Sequence, residues 1–235
     1  MSATCVILYG YVMENVYMSK VLAFSCYHAP YQSKKALNFL KKVSDWHQPD
    51  KIVCLGDLAD VASVTYHEVN PDMDGAKREL DEARKALHAL YNAFPNMIIT
   101  MGNHDLRYAR KAQSVGIPSS LLNIPNKIWD ISSTWKFVED YFIDKVRYLH
   151  GTGCSKAHLN AFSSGVSHCQ GHLHSDFNVL YRATNYNRIF GATVGCLADH
   201  KQLAFAYSKP FRFKPVMGCG IIHNGHTCQL IPMET

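Results

Sequence analysis

Met97-Ile98-Ile99-Thr100-Met101-Gly102-Asn103-His104-Asp105 joins an apolar run to a cluster of chemically active side chains. A short uncharged run with Ile and Thr suits a buried strand better than a helix. Gly102 then lets the backbone turn sharply and come close to another group. An amide, an imidazole and a carboxylate follow the turn directly.

The same grammar recurs on both sides of this stretch. Residues 21–25 form an apolar run ending in Ser25-Cys26-Tyr27-His28, and residues 51–55 run into Gly56-Asp57-Leu58-Ala59-Asp60. Residues 145–149 end in His150-Gly151, and residues 166–170 in Gly171-His172-Leu173-His174. Helical patterns separate these strands. Residues 33–46 place Leu37, Leu40, Val43 and Trp46 on one face. Residues 72–94 place Leu80, Ala83, Leu87, Leu90 and Phe94 on one stripe, with Arg78–Glu82 and Asp81–Lys85 as i,i+4 pairs on the wet side. A short helix is expected over residues 156–162. From Phe177 onward the segments are short and strand-like, and residues 221–231 read as a hairpin around Asn224-Gly225. The expectation is an α/β (α+β) chain, alternating β and α first and antiparallel β last.

Composition narrows the class. The 235 residues are 47% hydrophobic and 18% charged, which excludes a disordered chain. No run of 18 apolar residues occurs, so no membrane helix and no membrane partner are expected. The net charge of +5 suits an anionic substrate without demonstrating nucleic-acid binding. Eight cysteines include no C-x-x-C pair, and several sit in apolar runs. They read as free thiols in a reducing, cytoplasmic compartment. Met18 would open directly on a strand. Residues 1–17 therefore read as an N-terminal extension and residues 18–235 as a single domain.

Five strand ends thus deliver His, Asp, Asn and Cys, with Gly beside four of them. In α/β sheets the carboxyl ends of the strands form the ligand crevice. A lone His at a strand end is most often structural; five such ends in this order are not.

Order and spacing resemble the calcineurin-like metallophosphoesterases, whose pattern is D-x-H, G-D-x-x-D, G-N-H-D/E, a His-Gly and G-H-x-H. The motifs cover roughly residues 21–175. The later stretch around Gly195-Cys-Leu-Ala-Asp199 looks like a subset often found in bacteriophages and prophages. That origin would place the protein in the host cytoplasm. The resemblance implies an αββα sandwich of two mixed β-sheets flanked by helices, with two divalent metal ions at the strand ends. It implies that His28 binds the first metal, that Asp57 bridges both, and that Asn103, His150 and His172 bind the second. His174 returns to the first. His104 would be the general acid, oriented by Asp105, with Asp60 supporting the loop. The implied activity is phosphoester hydrolysis by a metal-activated hydroxide. A nucleotide or nucleic-acid phosphodiester is the favoured substrate. The alternative is a degenerate metal-binding member with a binding or assembly role and little turnover.

The chemistry stands on its own terms. Two cations clamp a phosphoryl group and activate a water between them. A carboxylate can bridge two metals and a neutral imidazole cannot. Histidine is the natural proton donor near neutral pH.

One departure matters. Cys26 stands where the family has its first Asp. Either its sulfur binds the metal, favouring zinc or iron over manganese, or it is a buried strand-end thiol that binds nothing. Arg107 and His158 are candidates for substrate phosphate, each with a surface role as the plainer reading. Arg110 and Lys111 share the choice between site rim and solvated helix face. Lys209, Arg212 and Lys214 interleave with Phe211 and Phe213. They suit single-stranded nucleic acid and equally a protected β-edge. His67, His168, His200, His223 and His226 receive no role.

Overall fold

The computed structural model describes residues 19–65, 70–208 and 210–234. The expected extension over residues 1–17, His67 and Lys209 lie outside the described residues.

Four parallel strands build the first sheet: β1 (Lys20–Phe24), β2 (Lys51–Cys54), β3 (Met97–Thr100) and β4 (Trp135–Val138). The chain then crosses to a second sheet made of β5 (Asp140–Ile143), β6 (Val146–Leu149), β7 (Ser167–Gln170), β8 (Phe177–Ala183) and β9 (Arg188–Val194). Its spatial order is β5-β6-β7-β9-β8. Finally β10 (Gly218–His223) and β11 (Thr227–Pro232) return to the first sheet, antiparallel beside β1. Both sheets are mixed, and helices flank them.

Strand alternation explains the layering. β1 is apolar along almost its whole length because both of its faces are covered. Leu22 and Phe24 pack with Leu40 of α1 (Ala36–His47) and Leu87 and Leu90 of α2 (Ala76–Ala93). Val21 and Ala23 point the other way, into a core shared with Tyr148, Phe190 and Val194 of the second sheet. On the far face of that sheet, α5 (Ala157–Ser164) lies on β9. The contact is close at Gly191, where a Cβ would stand 2.2 Å from the Cα of His158.

Several expectations are corrected here. Trp46 is 83% exposed. The buried stripe of α1 runs through Ala36, Leu40 and Val43, and Trp46 falls off it. On α2 the ion pairs are Asp74–Arg78, Lys77–Asp81 and Glu82–Lys85 in place of the two expected, each acid having a second base within three or four residues. The late β region is not wholly antiparallel: β8 takes the outer edge, leaving β9 parallel to β7. Phe211 to Pro215 form a loop, not a β-edge. Asn224 and Gly225 turn the β10–β11 hairpin with φ of 52° and 67°, which an Asn-Gly turn of the primed type requires. No helix among the described residues is long and apolar enough to cross a membrane.

Candidate metal centre

The parallel strands β1, β2, β3, β6 and β7 end on the same side, and the loops leaving them carry the candidate residues. These loops are strained. Cys26, His28, Asp57 and His172 all have positive φ, between 49° and 68°, without being glycine. Such residues cost on the order of 1–3 kcal/mol each, and persist only where the surroundings over-determine them. Backbone bonds do this here. Cys26 N–H donates to the Gly56 carbonyl at 3.0 Å and His28 N–H to the Asp57 carbonyl at 2.9 Å, lacing the first loop to the second.

Two groups of donor atoms result. In one, His150 Nε2 stands 3.1 Å from each of Asn103 Oδ1, His172 Nδ1 and Asp57 Oδ2. His150 gives its Nδ1–H to the Leu55 carbonyl at 2.6 Å, which leaves Nε2 as a lone pair facing the group. In the other, His28 Nε2 lies 3.2 Å from His174 Nε2 and 3.8 Å from Asp57 Oδ2. Cys26 joins both: its Sγ falls within 4.8 Å of donors on His28 and His174, and likewise on Asp57 and His150. Nitrogen and oxygen ligands lie roughly 2.0–2.2 Å from a cation such as zinc. Donors about 3 Å apart match the edges of such a coordination shell, and a cation would relieve the repulsion between lone pairs clustered there. The residues fit the metals that the motifs imply. Asp57 is the carboxylate common to the two groups.

Charge follows the same geometry. Burial opposes ionisation of Asp57, but His150 and His104 hold its carboxyl well below the usual range. Burial, with Asp57 beside it, pushes the Cys26 thiol up.

His104 borders the group around His28, with a ring nitrogen within 4.8 Å of donors on His28 and Asp57 and its Nε2 4.0 Å from Asp57 Oδ2, but its nearest partners are others. Its Nδ1 bonds Asp60, while its Nε2 is 3.1 Å from Arg107 Nη2. Arg107 also donates to the Asp60 carboxylate at 3.0 Å and its carbonyl at 3.1 Å. Burial would lower the His104 ring, but Asp57 and Asp60 overcome this and hold it above the ordinary histidine value. The expected orienting residue, Asp105, does not touch the ring. Its carboxylate accepts the backbone N–H of Gly102 at 2.9 Å and of Ala59 at 3.1 Å, so it ties the β2 and β3 loops together. Burial and the Asp57 charge push it up to about 6.

A family model for the calcineurin-like phosphoesterases matches residues 19–216. The chain belongs to this family. Among curated proteins no match is found. Solved structures with a similar chain trace include a metallophosphoesterase from Sphaerobacter thermophilus (15% identity, 92% of this chain and 88% of that one, TM-score 0.48). The nuclease MPE of Pseudomonas putida is 14% identical over 91% and 87%, with a TM-score of 0.42. Vacuolar protein sorting 29 of Cryptosporidium parvum is 13% identical over 93% and 99%, with a TM-score of 0.44. No activity is carried over from them.

In this calcineurin-like phosphoesterase the end of β9 adds residues that the motif pattern misses. His174 Nδ1 is 2.9 Å from His200 Nε2, which is 3.7 Å from Cys196 Sγ. His200 thus fixes the His174 ring so that Nε2 faces His28. Burial and then the His28 ring depress His200 to about 4, so it is a neutral partner at pH 7. The signal was present: Gly195-Cys196 leaves a strand end as the other five do. His158 is corrected. Its ring lies on Phe162 of the same helix, with centroids 6.1 Å apart, and it does not line the pocket over the donor groups. Arg107, at the start of α3 (Arg107–Ser114), reaches Asp60 and His104 and, like His158, is not among the residues that line that pocket.

Proposed function

We propose that this chain is a metal-dependent phosphoesterase working with two cations, and that phosphodiesters of nucleotides or nucleic acid are its substrate class. The observation that carries this is the convergence of two donor groups on one carboxylate, Asp57, beside a His104–Asp60–Arg107 group. Cys26, His28, Asp57 and His174 would hold the first cation, and Asp57, Asn103, His150 and His172 the second. Bound there, the cations supply positive charge to the phosphoryl oxygens and acidify a water. Sulfur at position 26 favours zinc or iron over manganese.

The chain's own residues do the rest. His104 has its Nδ1 tied to Asp60, and in the structure its Nε2 accepts from Arg107 Nη2 at 3.1 Å. To serve as the acid the ring takes a second proton, on Nε2, and Arg107 turns its N–H to the leaving-group oxygen instead. That oxygen then receives a hydrogen bond from Arg107 and the proton from Nε2. The phosphorus–oxygen bond to the leaving group breaks, a bond to water oxygen forms, and diester plus water becomes monoester plus alcohol. Asp60 holds the ring so that this proton faces outward.

The test is hydrolysis of bis-p-nitrophenyl phosphate and p-nitrophenyl phosphate with manganese, zinc, iron or magnesium added to metal-stripped protein. Turnover is expected only with metal. On a diester with an alkoxide leaving group, such as thymidylyl-thymidine, His104→Ala is expected to lower turnover by about 10²–10⁴-fold, and less on p-nitrophenyl esters, whose leaving group departs unprotonated, while metal content stays the same. Cys26 favours a second reading, a metal-binding role with little turnover. Metal uptake without hydrolysis of either ester would select it.

A further inference from the structure

Phe211 and Phe213 line the pocket that opens onto Asp57, Asn103, His104, His172 and His174. They are 55% and 71% exposed, so part of each side chain meets water beside the candidate centre. Exposed aromatic side chains occur elsewhere on this chain, as at Trp46 and Tyr186; what sets these two apart is that both line one pocket together with the candidate metal-binding residues. The cavity is about 280 Å³, at the small end for a ligand site. Pro215 continues the same wall, and Pro210 precedes it in the chain. Between them in the chain is Arg212, whose guanidinium carbon is 5.5 Å from the centre of the Phe213 ring.

We infer that Phe211 and Phe213 form a stacking wall for a nucleobase, making unpaired nucleotides the substrate class of this site. The inference rests on the phosphoesterase reading above. Aromatic rings interleaved with cations match a nucleotide's two parts. A base has a π-face, and the phosphate next to it is anionic. The same pocket supplies the phosphate side through His104 and the donor groups on Asp57, Asn103, His172 and His174. A base lying on these rings is out of its own stack, so it must come from a mononucleotide or a single strand, not from a duplex interior.

Two diesters with the same leaving group isolate this wall: thymidine 5′-(p-nitrophenyl phosphate) and methyl p-nitrophenyl phosphate. They differ in the retained group, a nucleoside in the first and a methyl in the second, and the double variant below isolates the part of that difference that the rings supply. The wild-type kcat/KM is expected to favour the thymidine ester by roughly 10–100-fold, the worth of one stacked base. In Phe211→Ala/Phe213→Ala this ratio is expected to fall to within a few-fold of one. A wild-type ratio near one would overturn the inference, and so would a ratio that survives in the double variant. The second result would include a variant that slows both esters equally. If wild type hydrolyses neither ester, the phosphoesterase reading has failed. The wall is then decided by titration calorimetry of thymidine 5′-monophosphate against methyl phosphate on zinc-loaded protein. Selective weakening of the nucleotide by tenfold or more in the double variant supports the wall, and equal affinities in the two proteins overturn it.

Discussion

Asp60 and Asp105 are both buried acids beside His104, yet only one reaches the ring. Asp105 is next to His104 in the chain, and for that reason its side chain turns back over Gly102 instead. Asp60→Asn should lower turnover by about 10–100-fold, the usual effect of removing a partner that orients an active-site group. Asp105→Asn should act on stability. It weakens bonds to two buried N–H groups at a cost of about 1–3 kcal/mol, or several degrees in Tm, with kcat of the folded protein close to wild type. Thermal melts beside single-condition turnover separate the two, and equal kinetic losses would show that the ring depends on both acids. Cys26 poses a different question. Cys26→Asp replaces a soft donor by a hard one, so manganese affinity should rise and zinc affinity should fall. Cys26→Ser should lose affinity for both. Metal binding by equilibrium dialysis reads this, and three equal proteins would put residue 26 outside the coordination shell.

At the scale of elements, the strand-end loops are held by groups far from the centre. Glu79 of α2 is buried, and its carboxylate accepts the N–H of Ala62 at 2.7 Å and of Ser63 at 2.9 Å, together with the Ser63 hydroxyl. This anchors the 3-10 turn over Ala62–Val64, directly after Asp60. Glu79→Ala leaves two backbone donors without that acceptor and should cost about 2–4 kcal/mol by urea unfolding. Gly102 is constrained from the other side, because a Cβ there would stand 2.2 Å from Asp57 Oδ1. Gly102→Ala should therefore displace the shared carboxylate and lower bound metal although residue 102 itself donates nothing. Normal metal content in that variant would mean that the loop has more room than the packing indicates.

For the whole molecule, the strand ends were legible from sequence because two signals coincide there. An apolar run stops and a Gly or a reactive side chain follows, and parallel strands gather these ends on one side. Less legible were contacts between loops. Asp60 sits 44 residues before His104, and His200 lies 26 after His174, so neither partnership leaves a local pattern. β4 and β5 escaped because four-residue edge strands such as Asp140-Tyr-Phe-Ile143 mix polar and apolar residues on both faces. The aromatic loop was readable as a composition but not as a place, since only the fold brings Phe211 and Phe213 to the mouth of the site. What ties these scales together is the proposal that Asp57 serves two cations at once. The most direct measurement is a titration of metal-stripped protein with zinc, following hydrolysis of bis-p-nitrophenyl phosphate against equivalents added. Activity should be absent without metal and should rise until two equivalents per chain are bound. Activity that persists in chelator, or that is complete at one equivalent, would contradict a two-cation centre.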